Sequence, residues 1–307
     1  MIRLVGTFQS SYKKKPVYYY IYKPDGPIRA IVQLSHGMCE HVGRYEEFAR
    51  FLTERGILLC GHDHLGHGNT GRVNGEMGFF AEKGGYRYLV KDLYFCTRII
   101  QAKYPNIPYF LMGHSMGSFI ARAYLSKHAS HLTGCILSGT SGRNRLSSVA
   151  VTMADVIAKA KGQHFRSKYL YQLAIGAYNN GFEGKTNCEW LTRDKAIQEA
   201  YLLDEWCQFK FTAAAYRDVF TLVNMINRVE WYHSFPSKLP LYIMSGAQDP
   251  VGLKGVTIKQ LYYELLMRGH RNVTMRLYEG ARHELLNETN REEVSESLYE
   301  WITTCIM

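Results

Sequence analysis

The sequence lacks any apolar run that approaches the length of a membrane span, and no sustained apolar segment follows its start. We therefore expect neither a membrane-spanning helix nor a secretory signal. The seven cysteines are scattered, odd in number and free of any Cys-x-x-Cys pair. That pattern argues against a disulfide framework and a zinc site, and it favours a reducing, cytoplasmic location. The sequence also has no internal repeat and no nucleic-acid-binding module.

Positive charge is abundant and unevenly spread. The chain has 307 residues, 46% of them hydrophobic, so it can bury the core of one large domain or of a domain with an insertion. The net charge of the whole chain is +10. Residues 1–30 alone contain six Lys or Arg and one Asp, with Lys13-Lys14-Lys15 at the centre of this basic stretch. A solvated turn between two strands would explain this cluster, and so would peripheral contact with an anionic lipid surface.

Short apolar runs alternate with segments of helical periodicity through most of the chain. Gly, Pro and polar residues bound the runs, and the segments between them carry apolar residues at helical spacing. This alternation is typical of a mostly parallel sheet covered by helices on both faces. The first run ends in a dense turn signal and belongs to a hairpin-like β unit. The predicted strands lie within residues 16–22, 30–34, 57–60, 109–112, 134–139, 239–246 and 273–278.

The alternation is interrupted once, between Gly142 and Lys238, by a stretch with helical patterns and no strand pattern. We predict a core of residues 1–142 and 238–307 and a helical cap of residues 143–237, inserted after the sixth strand. Most apolar stripes of this cap are expected to pack onto the core, and some to line an apolar pocket. The predicted cap helices are 149–160, 169–178, 194–204 and 212–226.

The segment Gly113-His114-Ser115-Met116-Gly117 stands between an apolar run and a helical segment. A serine at such a strand-to-helix turn points out of the top of the sheet, and a glycine on either side keeps Cβ atoms away from the tight backbone crossing. This arrangement is typical of a nucleophile elbow. Ser115 is therefore the candidate nucleophile, and the cap is predicted to lie over it.

A serine hydroxyl needs a nearby base and a carboxylate that orients the base. For a serine on such an elbow, the chain order is serine, acid, histidine. Asp249 and His283 each follow a predicted strand, at the sheet edge where Ser115 emerges. His270 also follows Asp249, but it precedes a strand and belongs to the opposite edge. Five residues that come before the nucleophile are predicted to order loops, namely His36, His62, Asp63, His64 and His67.

The tetrahedral intermediate of acyl transfer carries an oxyanion, which two backbone N–H groups stabilise. One donor is expected from Met116, directly after the nucleophile, and the other from the loop that follows an earlier strand. We assign this second donor to Met38. The neighbouring His36, Gly37 and Cys39 are predicted to form the substrate loop.

Three motifs occur together, namely His36-Gly37-x-x-Glu40-His41-x-Gly43-Arg44-Tyr45, His62-Asp63-x-x-Gly66-His67-Gly68 and the serine elbow. In this combination the chain resembles the monoacylglycerol lipase and lysophospholipase-like family of serine hydrolases. Two cap motifs resemble its bacterial members, Trp190-Leu191-Thr192-Arg193-Asp194 and Asp204-x-x-Cys207-x-Phe209.

The resemblance implies an α/β-hydrolase core of eight mostly parallel strands with a helical cap. It implies a triad of Ser115, Asp249 and His283, with Met38 and Met116 as oxyanion donors. It also implies a lipid-like acyl ester as a small-molecule substrate, with no metal, no cofactor and no nucleic acid. No oligomeric state is predicted.

One position departs from that family. Monoacylglycerol lipases resemble His-Gly-x-Gly-Glu-His at the first motif, and this chain has Cys39 in place of the second glycine. A side chain there is expected to narrow the entrance or to make the enzyme thiol-sensitive, so it bears on the preference for glycerol esters. The prediction is a serine carboxylic ester hydrolase. A short-chain carboxylesterase, a thioesterase, a small-residue aminopeptidase and a binding module with a silent triad remain the alternatives.

Overall fold

The computed structural model describes residues 1–143 and 147–307. Its strands are β1 (Ile2–Gln9), β2 (Pro16–Lys23), β3 (Ala30–Ser35), β4 (Ile57–His62), β5 (Tyr109–His114), β6 (Gly134–Ser138), β7 (Leu241–Gly246) and β8 (Val273–Tyr278). They form one eight-stranded sheet in the order β1-β2-β4-β3-β5-β6-β7-β8. β2 pairs antiparallel with both β1 and β4, and all other neighbours are parallel. The predicted mostly parallel sheet is confirmed.

Ten α-helices lie in the described residues. They are α1 (Glu46–Glu54), α2 (Gly68–Val73), α3 (Gly85–Lys103), α4 (Met116–His128), α5 (Ser147–Lys161), α6 (Lys168–Tyr171), α7 (Lys195–Leu203), α8 (Ala213–Ile226), α9 (Val256–Met267) and α10 (Arg291–Ile306). The short helix α2 has no counterpart among the predicted helices. Within the described ranges, no helix combines the length and apolarity that crossing a bilayer requires.

The central strands β3 to β7 are buried along their whole length. Parallel strands need apolar cover on both faces, because their alternating side chains point both ways. On one face Val32 and Leu34 of β3 belong to a cluster with residues of α1 and α10. On the other face Leu111 of β5 belongs to a cluster with residues of α3, α4 and α9. The sheet is thus held rigidly between two layers of helices.

Between β6 and β7 the described residues form helices and no strand. α6 is a single α-helical turn and continues as a π-helical turn, Gln172–Gly176. The prediction of one regular α-helix over 169–178 is therefore wrong. α8 packs against α5 and against α4, the helix that follows Ser115. The limits of core and cap stay predictions, and residues 144–146 of the predicted cap lie outside the described residues.

The N-terminal lysine cluster forms the turn between β1 and β2. Lys13 and Lys14 have left-handed φ values of 51° and 54°. The Lys13 Nζ atom lies 3.0 Å from Glu82 Oε1, and Lys15 pairs with Glu76. The cluster is therefore a solvated turn in which acidic neighbours offset part of the positive charge.

Candidate active site

Ser115 stands between the end of β5 and the start of α4, with φ 51° and ψ −122°. A positive φ is costly for a residue with a Cβ atom, and such strain persists where the surroundings enforce it. A Cβ atom at Gly117 would lie 1.8 Å from the Ser35 carbonyl oxygen, and one at Gly113 would lie 2.5 Å from the Gly117 carbonyl oxygen. Only glycine fits at both positions, and the close approach of the backbone segments there holds Ser115 in its strained, half-buried turn.

Asp249 and His283 follow β7 and β8, and the structure brings them together. The Nδ1 atom of His283 lies 2.9 Å from Asp249 Oδ2. Asp249 also accepts hydrogen bonds from the Ser245 hydroxyl at 3.2 Å and from the Val251 N–H at 2.9 Å. Both side chains of the pair are buried. The carboxylate is thus fixed in position to hold the imidazole with its hydrogen on Nδ1.

The Asp249 carboxylate controls the protonation of His283. Burial by itself disfavours the imidazolium, but the adjacent carboxylate outweighs that penalty, so the pKa of His283 is raised above its ordinary value. Trp190 from the inserted segment packs on the imidazole, with 4.9 Å between ring centroids. The histidine is therefore shielded on one side and kept ready to accept a proton on Nε2.

His36 shapes the loop after β3. Its Nδ1–H donates to the Gly37 carbonyl at 2.9 Å, and its Nε2 accepts from the His64 N–H at 3.0 Å. The two bonds assign the neutral tautomer with hydrogen on Nδ1. Burial lowers the pKa of His36 well below its ordinary value, so the ring stays neutral. His36 orders the loop, as predicted for it.

The same loop lies against the nucleophile. A Cβ atom at Gly37 would lie 2.8 Å from Glu40 Oε1 and 3.1 Å from Ser115 Cβ, so a larger residue would have to displace these side chains. The Gly37 N–H bonds the Glu40 carboxylate and is not available to an oxyanion. Met38 and Met116, the two proposed donors, line the same cavity as Ser115. This placement fits the donor roles proposed for their N–H groups.

Cys39 adopts a left-handed φ of 56°, where glycine would be strain-free. Its Sγ–H donates to the Phe209 carbonyl, 3.2 Å away in the inserted segment. Burial raises the pKa of this thiol to about 12. The cysteine is thus an uncharged contact between the loop and the inserted segment, and the expected thiol sensitivity has no support at this residue.

A buried ion network beneath the loop escaped the sequence analysis. Arg44 contacts Glu284 through two bonds of 2.7 and 2.8 Å, and it reaches Glu40 at 3.2 Å. Tyr45 donates to Glu40 at 3.0 Å. Burial raises the pKa of Glu284, but Arg44 more than offsets this and brings it to about 2. Arg44 and Glu284 lie 240 positions apart in the chain, so no local sequence signal marks this network.

The remaining loop residues order the backbone or lie away from Ser115. Asp63 accepts from the N–H groups of Val42 and Asn69 and from the Tyr20 hydroxyl, at 2.9 to 3.1 Å. His270 hydrogen-bonds the Tyr232 carbonyl at 2.7 Å, and it does not line the cavity that holds Ser115. The loop-ordering role predicted for Asp63 is confirmed. His62 and His64 contact each other at 3.2 Å, and His67 donates to the Leu65 carbonyl.

Ser115 and His283 line one cavity of about 830 Å³ beneath the inserted helices. More of its described wall is apolar than polar. The inserted segment supplies Ala150, Leu173, Ala174, Ile175, Leu191, Leu202, Phe209, Val219, Phe220 and Val223, and the core supplies Met38, Met116, Phe119 and Val251.

A serine on a glycine elbow, a buried histidine–aspartate pair and a His-Gly loop on this sheet define a serine hydrolase of the α/β-hydrolase fold. Residues 26–290 match the family model Hydrolase_4, described as serine aminopeptidase, S33. The chain belongs to this family.

Individual relatives cover nearly the whole chain. Monoglyceride lipase of Rattus norvegicus is 27% identical over 286 residues, which are 93% of this chain and 84% of that protein. Monoacylglycerol lipase of Mycolicibacterium smegmatis is 25% identical over 294 residues, which are 94% of this chain and 93% of that protein. The crystal structure of a highly thermostable carboxyl esterase from Bacillus coagulans has a TM-score of 0.94 and 32% identity, with 100% of both chains covered.

Proposed function

We propose that this protein is a serine carboxylic ester hydrolase that acts on lipid-like acyl esters. Ser115 is the nucleophile, His283 the general base and acid, and Asp249 the carboxylate that orients the imidazole. The helical segment proposed as the cap encloses the acyl chain. The observation that carries this proposal is the predominantly apolar cavity that Ser115 and the inserted segment line together.

The geometry suits a two-step acyl transfer. Ser115 Oγ attacks the ester carbonyl while His283 Nε2 takes its proton, and the Nδ1–H bond to Asp249 stabilises the imidazolium. The N–H groups of Met38 and Met116 bind the oxyanion. The imidazolium then protonates the leaving alcohol. Water, activated by the same histidine, releases the acyl group and regenerates the serine.

The relatives support an ester of glycerol or a similar small alcohol. Two of them are named for monoglycerides or monoacylglycerols, and another is named Phospholipase YtpA. The Bacillus coagulans esterase is described in complex with glycerol. An acyl chain would fill the apolar part of the cavity, since burial of apolar surface drives such binding.

An aminopeptidase activity, suggested by the family's description, would need an unpaired carboxylate to hold the free amine of the substrate. Glu40 and Glu284 are the carboxylates that line the described wall of the cavity. Both are bonded to Arg44, and Glu284 in two places. Neither is free for an amine, so this cavity favours an uncharged acyl ester.

We further propose that contact with a lipid surface takes place at the cavity mouth. Leu173 and Leu202 line the cavity and are exposed, and the adjacent Leu203 is 85% exposed. Arg166 and Lys210 also line the cavity and are exposed, so they add positive charge to it. Exposed apolar side chains next to cations suit an anionic lipid surface, which would deliver the substrate directly to the cavity.

The test is the initial rate on a 4-nitrophenyl ester series from acetyl to palmitoyl, together with a monoacylglycerol and an alanine 4-nitroanilide. We expect rates that rise toward medium or long chains, cleavage of the monoacylglycerol and no cleavage of the anilide. Ser115→Ala should reduce every rate to background, because removal of a triad serine costs about 10⁶-fold in a serine protease. Activity on acetyl esters alone would replace the proposal with a short-chain carboxylesterase. Retained turnover in Ser115→Ala would refute the assigned nucleophile.

A further inference from the structure

Two sequence motifs that the catalytic assignment leaves unexplained contact each other in the structure. His41 belongs to the loop that carries Met38, and Asp204 and Phe209 belong to the cap segment 201–209. His41 Nε2 lies 2.8 Å from Asp204 Oδ2, and Cys39 Sγ donates to the Phe209 carbonyl. The guanidinium of Arg44 stands 4.9 Å from the centroid of the Tyr201 ring. Three residues of one loop thus contact one cap segment.

We propose that this cap segment holds the oxyanion loop in its catalytic position, and that His41 and Asp204 are the positioning pair. The proposal rests on the proposed ester hydrolase function. It assigns regulation of that site to the cap: the oxyanion hole is complete only while the segment 201–209 is seated on the loop. Cap movement would thereby change turnover as well as access to the cavity.

The loop needs such external support. Cys39 has a φ of 56°, a sparsely populated backbone conformation that persists only where surrounding contacts enforce it. The Gly37 N–H on the other side of Met38 is held by Glu40. The Met38 N–H therefore lies between one anchor inside the core and one anchor in the cap. Without the cap anchor, Cys39 would leave this backbone conformation, and the Met38 N–H would lose its orientation toward the oxyanion.

The hydrogen positions make the contact between His41 and Asp204 specific. The Gly43 N–H donates to His41 Nδ1 at 3.2 Å, so the hydrogen of the neutral ring is on Nε2 and points at Asp204. The other carboxylate oxygen of Asp204 accepts from the Trp206 N–H at 2.9 Å. The Trp206 ring lies against the imidazole, with 5.1 Å between centroids. Asp204 therefore shapes the cap turn with one oxygen and holds the loop with the other.

The ligand atoms of His41, Asp204 and Cys207 also lie within 4.8 Å of one another, a spacing that a metal ion could bridge. A metal would need the Nε2 lone pair, and the Gly43 N–H bond to Nδ1 leaves the hydrogen on Nε2 instead. Burial raises the pKa of the Cys207 thiol far above its ordinary value and outweighs the opposing effect of Arg44, so the thiolate that a metal would bind is disfavoured. The hydrogen bond between loop and cap is the better account of this cluster.

The test uses two substitutions that each remove the contact and keep the local fold. Asp204→Asn keeps an oxygen for the Trp206 N–H and turns an amide N–H toward His41. His41→Asn keeps an acceptor for the Gly43 N–H and is too short to reach Asp204. Asp194→Asn is the matched control. Asp194 caps the other end of α7 and bonds Arg291 of the core at 3.0 Å, away from the oxyanion loop.

We expect kcat on a 4-nitrophenyl ester to fall about 10- to 100-fold in both variants. Complete loss of an oxyanion donor costs about 10²- to 10³-fold, and these variants displace the donor without removing it. KM should change less than about threefold, since substrate binding relies on the apolar cavity. The inhibition constant of a trifluoromethyl ketone, which forms an oxyanion on Ser115, should rise by the same factor as kcat/KM falls. The double variant should match the single variants, and the control should stay within twofold.

Circular dichroism and thermal unfolding establish that each variant is folded. A folded Asp204→Asn or His41→Asn protein with wild-type kcat and ketone affinity would overturn the proposal, as would variants that lose only thermal stability. Failure of the ester hydrolase function itself gives a different result: the wild-type protein would neither hydrolyse the esters nor react with a fluorophosphonate at Ser115.

Discussion

His283 sets the acid side of the activity profile. The general base must be neutral, so kcat/KM rises with pH as His283 loses its proton. Because the Asp249 carboxylate raises the pKa of His283, the half-maximal rate should lie above 6.5, the ordinary value for histidine. In Asp249→Asn this effect disappears, so the half-maximum should move to lower pH, and kcat should drop by about 10⁴-fold. A pH series of kcat/KM on a soluble ester measures both, and an unchanged midpoint in the variant would contradict the pairing.

Cys39 should resist alkylation in the folded protein. At pH 8 a thiol whose pKa is about 12 is ionised in about one molecule in 10⁴, and the thiolate is the reactive form. Cys305 is only half-buried and should be modified first. Mass spectrometry after timed iodoacetamide treatment gives the rate at each cysteine. Equal rates at Cys39 and Cys305 would restore the thiol sensitivity expected from the sequence.

Which site residues the sequence could predict follows from chain geometry. Asp249 and His283 each come directly after a strand, and parallel strands end at one sheet edge, so their meeting was predictable. The pairing of Arg44 with Glu284 was not, because it joins residues 240 positions apart and no local pattern marks it. The left-handed φ of Cys39 was hidden for a different reason, since cysteine rarely adopts that conformation.

The elbow between β5 and α4 depends on the close approach of two backbones. In Gly117→Ala the added Cβ would lie 1.8 Å from the Ser35 carbonyl oxygen, so the strand or the helix must move. We expect loss of ester hydrolysis and a decrease of about 3 kcal/mol or more in the free energy of unfolding. Gly26→Ala is the control, since nothing lies within 4 Å of its Cβ position, and it should stay within about 0.5 kcal/mol. Urea unfolding of both variants decides, and equal stabilities would contradict the packing argument.

The spacing of apolar residues predicted the type and order of the helices and strands better than their local irregularities. Seven of the eight strands and most helices appear where periodicity indicates, because an apolar pattern that packs on a neighbouring element favours one type of secondary structure. The largely exposed edge strand β1 was not among the predicted strands. The short helix α2 lies in a polar glycine-rich segment without such a stripe. The π-helical turn after α6 depends on packing within the inserted segment, which local sequence does not encode.

The attachment of the inserted segment to the core is a property of the whole molecule. The buried Arg122 of α4 donates to the carbonyl of Ser141, before the insertion, and to that of Ile226 at its far end, both at 2.7 Å. The Trp231 indole N–H donates to the Arg122 carbonyl at 2.7 Å. One side chain on the helix of the nucleophile thus holds both connections of the cap. No sequence pattern indicates this role, because two of the three contacts span more than 100 positions.

The cavity mouth yields the prediction that concerns the molecule and its surroundings together. Leu203 is 85% exposed beside the cavity-lining Leu202, and an apolar side chain in that position gains free energy by entering a lipid surface. Leu203→Glu should therefore weaken binding to vesicles that contain anionic phospholipid. It should lower hydrolysis of a monoacylglycerol dispersed in them by about 3- to 10-fold, since partial insertion gains only part of the about 1.5–3 kcal/mol that a leucine contributes at full burial.

The same variant should hydrolyse a soluble 4-nitrophenyl ester at the wild-type rate, because Leu203 does not line the cavity. Met267→Glu is the matched control, as Met267 is 72% exposed at the end of α9. Equal loss of vesicle binding in both variants would mean that added negative charge, and not the mouth, weakens the contact. Unchanged binding in Leu203→Glu would place any lipid contact elsewhere. Delivery of the substrate through this mouth requires that only Leu203→Glu loses activity, and that hydrolysis on vesicles falls more than hydrolysis of the soluble ester.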